Sequence, residues 1–101
     1  MPANGTYKVA DLCEAATDGD VSKIQQILDT QPDLVNTYMA ENNEHCAIHY
    51  AVMNKQDDAV RVLMEAGANH KSGIYPHREA TDPFTIAQDR GYYDTVEIMR
   101  E

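Results

Sequence analysis

The sequence predicts an all-α fold in which short helical hairpins stack side by side. Small residues recur every 36 residues, at Ala15, Ala51 and Ala87. Within each copy, apolar residues are spaced three or four positions apart, which is the period of a helix. Turn and cap residues separate the helical segments. A single hairpin cannot bury its apolar side alone, so stability must come from contacts between copies.

The repeat extends over five matched positions in three copies. The matched sets are Leu12, Ile48 and Phe84; Ala15, Ala51 and Ala87; Gly19, Lys55 and Gly91; Ile24, Val60 and Val96; and Ile27, Leu63 and Met99. Agreement of this extent is hard to obtain by chance. We therefore expect one domain over residues 1–101, with repeats at about 6–38, 42–74 and 78–101.

The first copy predicts two helices joined by a tight turn. Its first helix should bury Val9, Leu12, Cys13 and Ala16, and its second Val21, Ile24, Ile27 and Leu28. Gly19 suits the left-handed residue that ends a helix, because it has no Cβ. The Asp20 carboxylate is suited to cap the second helix. Pro32 blocks continuation of that helix.

The second and third copies predict the same arrangement. The buried positions of the second copy are Ile48, Ala51, Val52, Val60, Leu63 and Met64, and its second helix ends at Gly67. In the third copy, Asp82 is an N-cap followed by Pro83, whose missing N–H costs nothing there. Lys55 replaces glycine at a position where a side chain costs roughly 1 kcal/mol if the backbone is left-handed.

Net charge restricts the class of partner. The chain has 8 Lys and Arg against 17 Asp and Glu, a formal net charge of −9. Nucleic-acid binding needs cations that displace the counterions of phosphates, and anionic membranes repel a protein of this charge. We therefore expect neither nucleic acid nor a membrane as partner, and favour a basic or neutral one.

Cysteine usage and the chain ends predict a cytoplasmic protein. No apolar stretch approaches the roughly 20 residues that span a bilayer, and residues 1–10 lack the features of a signal peptide. Cys13 and Cys46 have no framework spacing and should be reduced thiols. The last helix stops at Glu101 after barely two turns, which favours a longer natural chain.

The residues with reactive side chains do not form a motif for chemistry. His45, Cys46 and His49 are of the types that bind zinc, but His45 should precede the helix, so the required spacing on one helix fails. Cys13 occupies a core-facing position, where a thiol is usually a small inert apolar group. No glycine-rich phosphate loop occurs. We expect no catalytic residue, no metal ion and no cofactor.

At these residues the chain resembles the ankyrin repeat family. The family pattern is Thr-Pro-Leu-His-x-Ala-Ala-x-x-Gly, then a helix with a Val and a Leu pair, then Gly-Ala-Asp. The second copy matches it best, with CAIHYA at 46–51, Val60, LM at 63–64 and GAN at 67–69. The resemblance implies an ankyrin-like α-solenoid of stacked helix-turn-helix repeats. It also implies that His49 bonds backbone groups of its turn and the adjoining copy.

Two departures from the family pattern concern the linkers. The usual period is about 33 residues, so each link here carries about three extra. Glu44 and Ala80 stand where the family has a glycine between repeats. We therefore expect long hairpin or loop linkers.

The resemblance implies a module that binds a protein or peptide and is not an enzyme, and we favour a monomer. Family recognition surfaces lie on linker tips and on the groove side of the first helices, where Thr17 and Asp18 are the first copy's positions. The partner-binding residues carried over by position are Asn42, Asn43, His45, Met53, Asn54, Arg78, Glu79, Thr81, Asp89 and Arg90.

Two other functions stay open at this point. The chain is alternatively a regulatory or targeting segment of a larger enzyme, with the chemistry elsewhere. Residues 70–81 are alternatively a site for a small anionic ligand, held by His70, Tyr75, His77 and Arg78. The side chains of this linker either contact a partner or only cover the helix ends.

Overall fold

The helices of this chain follow one another in pairs. The computed structural model describes residues 7–37, 45–69 and 82–100. Within them the helices are α1 (Val9–Asp18), α2 (Val21–Thr30), α3 (Ala47–Met53), α4 (Asp57–Glu65), α5 (Pro83–Arg90) and α6 (Tyr93–Arg100). A 3-10 helix, Pro32–Asn36, follows α2. The predicted all-α fold of paired helices is confirmed, while the predicted linker forms fall outside the described residues.

The same tight turn joins the two helices of every pair. The backbone is left-handed at Gly19 (φ 72°), Lys55 (φ 53°) and Gly91 (φ 76°). The N–H of the next residue donates to the carbonyl of the repeating alanine at 2.8–2.9 Å; the bonds are Asp20 to Ala15, Gln56 to Ala51 and Tyr92 to Ala87. Lys55 therefore adopts the conformation that glycine adopts in the other two copies. The left-handed backbone on which the predicted cost of a side chain depends is therefore present at Lys55.

Two aspartates begin helices as the sequence predicts. The Oδ1 atom of Asp20 accepts the Lys23 N–H at 3.1 Å and so caps α2. Asp82 accepts the Thr85 N–H at 2.8 Å and the Thr85 hydroxyl at 2.9 Å, and Pro83 is the first helical residue. These bonds satisfy N–H groups that have no partner within the helix. Local sequence thus determines where α2 and α5 begin.

The three pairs stand in single file and form two layers. In one layer α3 lies between α1 and α5, and in the other α4 lies between α2 and α6. Ala51 and Ala87 are fully buried, and Ala15 is nearly so. Small side chains at these positions allow neighbouring helices to approach closely. The large side chains that fill the space between the layers include Leu12, Ile24, Ile27, Ile48, Leu63 and Met99.

Four expected core residues are only half-buried. Val9 and Val21 are each the first residue of their helix, so fewer neighbouring turns cover them. Met64 and Phe84 pack on the edge of the core and keep part of their surface in solvent. The helix faces are therefore assigned correctly, but these four side chains are buried only in part.

The helices are short relative to a bilayer. The longest described helices, α1 and α2, have 10 residues each, and a transmembrane helix needs about 20 apolar residues. Within residues 7–37, 45–69 and 82–100, no helix is both long and apolar enough to span a membrane.

Candidate functional site

The middle first helix, α3, shows which side of the stack stays open. Its buried residues are Ala47, Ile48, His49, Ala51 and Val52. Tyr50 and Met53 are half-buried instead, and Asn54 at its end is exposed. Because residues three positions apart lie on one side of a helix, Tyr50 and Met53 share a face that the neighbouring helices do not cover.

The equivalent positions of α1 and α5 extend this face across the stack. We call the whole set the first-helix face; it consists of Glu14, Thr17, Asp18, Tyr50, Met53, Asn54, Ile86, Asp89 and Arg90. Half-buried Tyr50, Met53 and Ile86 form its apolar centre. Exposed polar residues of α1 and α5 lie on either side of that centre. The face therefore combines an apolar middle with a charged rim.

Four of the predicted partner-binding residues come together on this face. Met53 and Asn54 end α3, and Asp89 and Arg90 end α5, the helix beside it. The Arg90 Nη1 group donates to the Met53 carbonyl over 3.5 Å, a long hydrogen bond between the two repeats. These residues therefore form one continuous patch at the ends of adjacent helices.

The predicted linker residues are mostly outside the described part of the chain. His45 is described: it precedes α3 and is half-buried, with its ring centroid 5.4 Å from that of Tyr50 and 5.6 Å from that of His49. It therefore borders the first-helix face through Tyr50. The other linker-tip residues, Asn42, Asn43, Arg78, Glu79 and Thr81, lie in the segments that are not described, as does the possible anionic-ligand site at 70–81.

Sequence reasoning missed the two bulkiest members of the apolar centre. Tyr50 and Ile86 lie 36 and 72 residues after Glu14 and three residues before Met53 and Asp89. These spacings place them on the same side of their helices as residues that the prediction did include. The positional signal was available, but large apolar residues in a helical pattern suggest the core.

Side-chain contacts between repeats hold the turn end of the first-helix face in place. The Gln56 Nε2 group donates to the Thr17 carbonyl at 2.9 Å and connects the second repeat to the first. The Lys55 Nζ lies 5.5 Å from the ring centroid of Tyr92, a cation–π contact with the third repeat. With the Arg90–Met53 bond, these contacts connect all three repeats.

His49 has a structural position in the turn before α3. It is fully buried, and its Nδ1 atom accepts the Cys46 N–H at 3.0 Å. This is the bond to the turn that the family resemblance implies. In the part of the chain that the structure describes, no three His, Cys, Asp or Glu residues converge on a point where they could hold a metal ion.

The thiol of Cys13 is in an environment that suppresses its reactivity. The residue is buried against the core, and that burial together with the nearby Cys46 raises the pKa of the Cys13 thiol to about 12. At neutral pH it is therefore protonated, whereas nucleophilic attack requires the thiolate. Cys13 contributes packing at this position.

Comparison with known proteins agrees with the repeat that the sequence displays. The sequence model of the family described as ankyrin repeats, in three copies, matches residues 12–101. The match begins at Leu12, inside α1, and includes the rest of that helix and all of α2 to α6 as far as Arg100. A search among curated proteins finds no match.

Proposed function

Because the chain belongs to the ankyrin repeat family, we propose that it binds a protein or peptide partner through the first-helix face and the tips of its linkers. Members of this family are generally protein–protein interaction modules and typically not catalytic. The observation that carries the proposal is the apolar centre of Tyr50, Met53 and Ile86 on an otherwise polar open face. An apolar middle enriched in Tyr and Met, with a polar rim, is the usual anatomy of an interface.

The binding mechanism is rigid display of a preformed surface. Each first helix packs against its neighbour, and hydrogen bonds from Gln56 and Arg90 join adjacent repeats. Little side-chain or backbone freedom then remains to be lost when a partner docks, which favours affinity. We propose that the linker tips, of which His45 is the described residue, also contact the partner. Neither nucleic acid nor a membrane is proposed as the partner.

The proposed setting is a monomer in the cytoplasm. Cys13 and Cys46 are both free and buried, which suits a reducing compartment where thiols persist. A single copy presents the whole first-helix face, so partner binding does not require a second copy.

Two methionines provide a matched test of the proposal. Met53 lies on the first-helix face, whereas Met64 lines a cavity of about 300 Å³ between α4 and α6, in the other layer. Both are half-buried, and replacing either by Lys changes the net charge by the same amount. The wild-type chain, Met53→Lys and Met64→Lys are each used for affinity capture from native lysate, after circular dichroism shows that each is folded.

We expect Met53→Lys to reduce recovery of the wild type's partner at least about tenfold, the loss of one central contact. Met64→Lys should recover it at close to the wild-type level. Equal recovery by the two variants contradicts the use of the first-helix face. A loss with Met64→Lys alone would instead assign binding to the second helices.

A further inference from the structure

We infer that the first-helix face accepts a basic segment that places an apolar side chain against Tyr50, Met53 and Ile86. This inference rests on the proposed function and specifies the chemistry of the partner. The carrying observation is the order of residue types across the three first helices: carboxylates on α1, an apolar centre, and a carboxylate on α5.

The carboxylates of this face are available for a partner's cations. Glu14 and Asp18 of α1 and Asp89 of α5 are all exposed. Between the residues that the structure describes, none of the three takes part in an ion pair. A segment that crosses the face from α1 to α5 therefore meets carboxylates on both sides of the apolar centre, with Arg90 beside Asp89 on the α5 side.

Two carboxylates of the second helices are paired with arginines of the same helix. Arg61 pairs with Asp58 at 3.4 Å, and Arg100 pairs with Glu97 at 3.3 Å. On the first-helix face the corresponding cation is Arg90, whose guanidinium donates to the Met53 carbonyl. In the described structure, Arg90 forms no ion pair with a carboxylate of that face. Charge alone therefore does not distinguish the two layers, and the feature particular to the first helices is the apolar centre between their carboxylates.

Because the centre of the face is apolar, the partner segment must carry apolar side chains as well as basic ones. Tyr50 offers a ring, and the unbranched Met53 side chain adapts to partners of different shape. Ile86 completes the centre from α5 and is half-buried. One or two aliphatic or aromatic side chains of a partner would cover this area, while Lys or Arg residues on either side reach the carboxylates.

The net charge of −9 acts in the same direction over longer distances. It raises the local concentration of basic segments and speeds their encounter with the chain. This general attraction carries no information about where the segment binds. A test must therefore separate the local charges of the face from the charge of the whole molecule.

Two triple variants make this separation. One reverses the rim of the face with Glu14→Lys, Asp18→Lys and Asp89→Lys. The other reverses exposed acids of the second helices that are in no ion pair with a described residue, with Asp29→Lys, Glu65→Lys and Asp94→Lys. Each variant reverses three charges and so changes the net charge by six, from −9 to −3. Any difference between them reports position rather than total charge.

The probes are a fluorescent peptide of leucine and lysine and a peptide of equal length with glutamate in place of lysine. Fluorescence anisotropy measures affinity for the full chain, and amide NMR signals locate the binding site. We expect saturable binding of the leucine–lysine peptide that shifts signals of Tyr50, Met53 and Ile86. The rim variant should bind it about tenfold more weakly than the second-helix variant, through the loss of three exposed charge contacts.

The peptide measurements would overturn the inference if the two triple variants had equal affinities, if the glutamate peptide bound equally well, or if the lysine peptide did not bind the wild type. None of these results tests the proposed function, which is measured separately by partner recovery with Met53→Lys and Met64→Lys. A partner that is lost with Met53→Lys but retained by the rim variant shows that the face binds a ligand of different chemistry.

Discussion

At the scale of single residues, the turns within the repeats place the same backbone conformation in different side-chain surroundings. Gly19, Lys55 and Gly91 share a left-handed backbone, but their surroundings differ. A Cβ atom at Gly19 would lie 2.5 Å from Gln56 Oε1, whereas the nearest atom to one at Gly91 is Tyr93 Cε2 at 4.0 Å. Equivalent positions therefore respond differently to the same substitution.

We predict that Gly19→Ala destabilises the fold more than Gly91→Ala does. The left-handed backbone costs alanine about 1 kcal/mol at either position. At Gly19 the new methyl group also displaces the Gln56 side chain from the Thr17 carbonyl, which adds about 1 kcal/mol. Urea unfolding followed by circular dichroism measures both. In a Gln56→Ala background the two costs should become equal, and a persistent difference would show that this hydrogen bond is not the cause.

A second residue-scale prediction concerns Cys13 and alkaline pH. The pKa of its thiol rises from 9.0 unfolded to about 12 folded, so above pH 9 the folded state holds a proton that the unfolded state has lost. Stability from this group is complete below pH 9 and declines toward pH 12. Between pH 9 and 10.5 the wild type should lose on average about 1.1 kcal/mol per pH unit more than Cys13→Ala, because the unfolded thiol is only half deprotonated at pH 9. Parallel pH profiles in urea unfolding under reducing conditions would contradict the assigned environment.

At the scale of elements, helix boundaries come from local signals, whereas contacts between repeats do not. The caps by Asp20 and Asp82 and the turns at Gly19 and Gly91 follow from residue type and spacing, and the structure has them as predicted. The hydrogen bond from Gln56 to the Thr17 carbonyl joins residues 39 positions apart. It depends on how one repeat is offset against the next, which the periodicity alone does not give.

We predict that removal of the α5 cap weakens the third repeat. Asp82 is 9% exposed and accepts two hydrogen bonds from Thr85. Asp82→Ala should therefore lower the free energy of unfolding by about 1 kcal/mol, and by roughly 2 kcal/mol at most. Hydrogen exchange should show the largest loss of protection in α5 and α6. Asp82→Asn retains an acceptor for the Thr85 N–H and should cost clearly less. Equal losses for Ala and Asn would contradict the capping role.

At the scale of the whole molecule, the faces between repeats are apolar and the outer faces are polar. Ala16 and Val52 are fully buried between repeats, and their equivalent in the third repeat is exposed Gln88. Leu28 is likewise matched by exposed Arg100. At the other end, exposed Lys23 corresponds to buried Ala59 and Thr95. The outer faces of the described stack thus carry polar residues at the positions that are apolar and buried between repeats.

This pattern predicts that an apolar outer face would cause self-association. The double substitution Gln88→Val and Arg100→Leu restores the residue types found between repeats and exposes them to solvent. Light scattering should show an apparent mass that rises with concentration toward twice that of the monomer. Gln25→Val with Lys8→Leu makes similar replacements at exposed positions and should stay monomeric. Monomeric behaviour of both variants would contradict the stacking role of these positions.

Only part of the candidate site could be predicted from the sequence. Met53, Asn54, Asp89 and Arg90 were identified because the family resemblance places recognition surfaces on the first helices and the 36-residue spacing gives the matching positions. Tyr50 and Ile86 were assigned no role, since an apolar residue within a helix of apolar pattern is normally part of the core. Their half-exposure arises because α3 and α5 are covered by neighbours on their other sides only.

Hydrogen–deuterium exchange on the complex with a captured partner tests most directly whether this chain binds through its first helices. Reduced exchange should appear in peptides covering the ends of α1, α3 and α5, including Met53 and Asp89. Peptides from α2, α4 and α6 should exchange as in the free chain. Protection confined to α2, α4 and α6 would contradict the account.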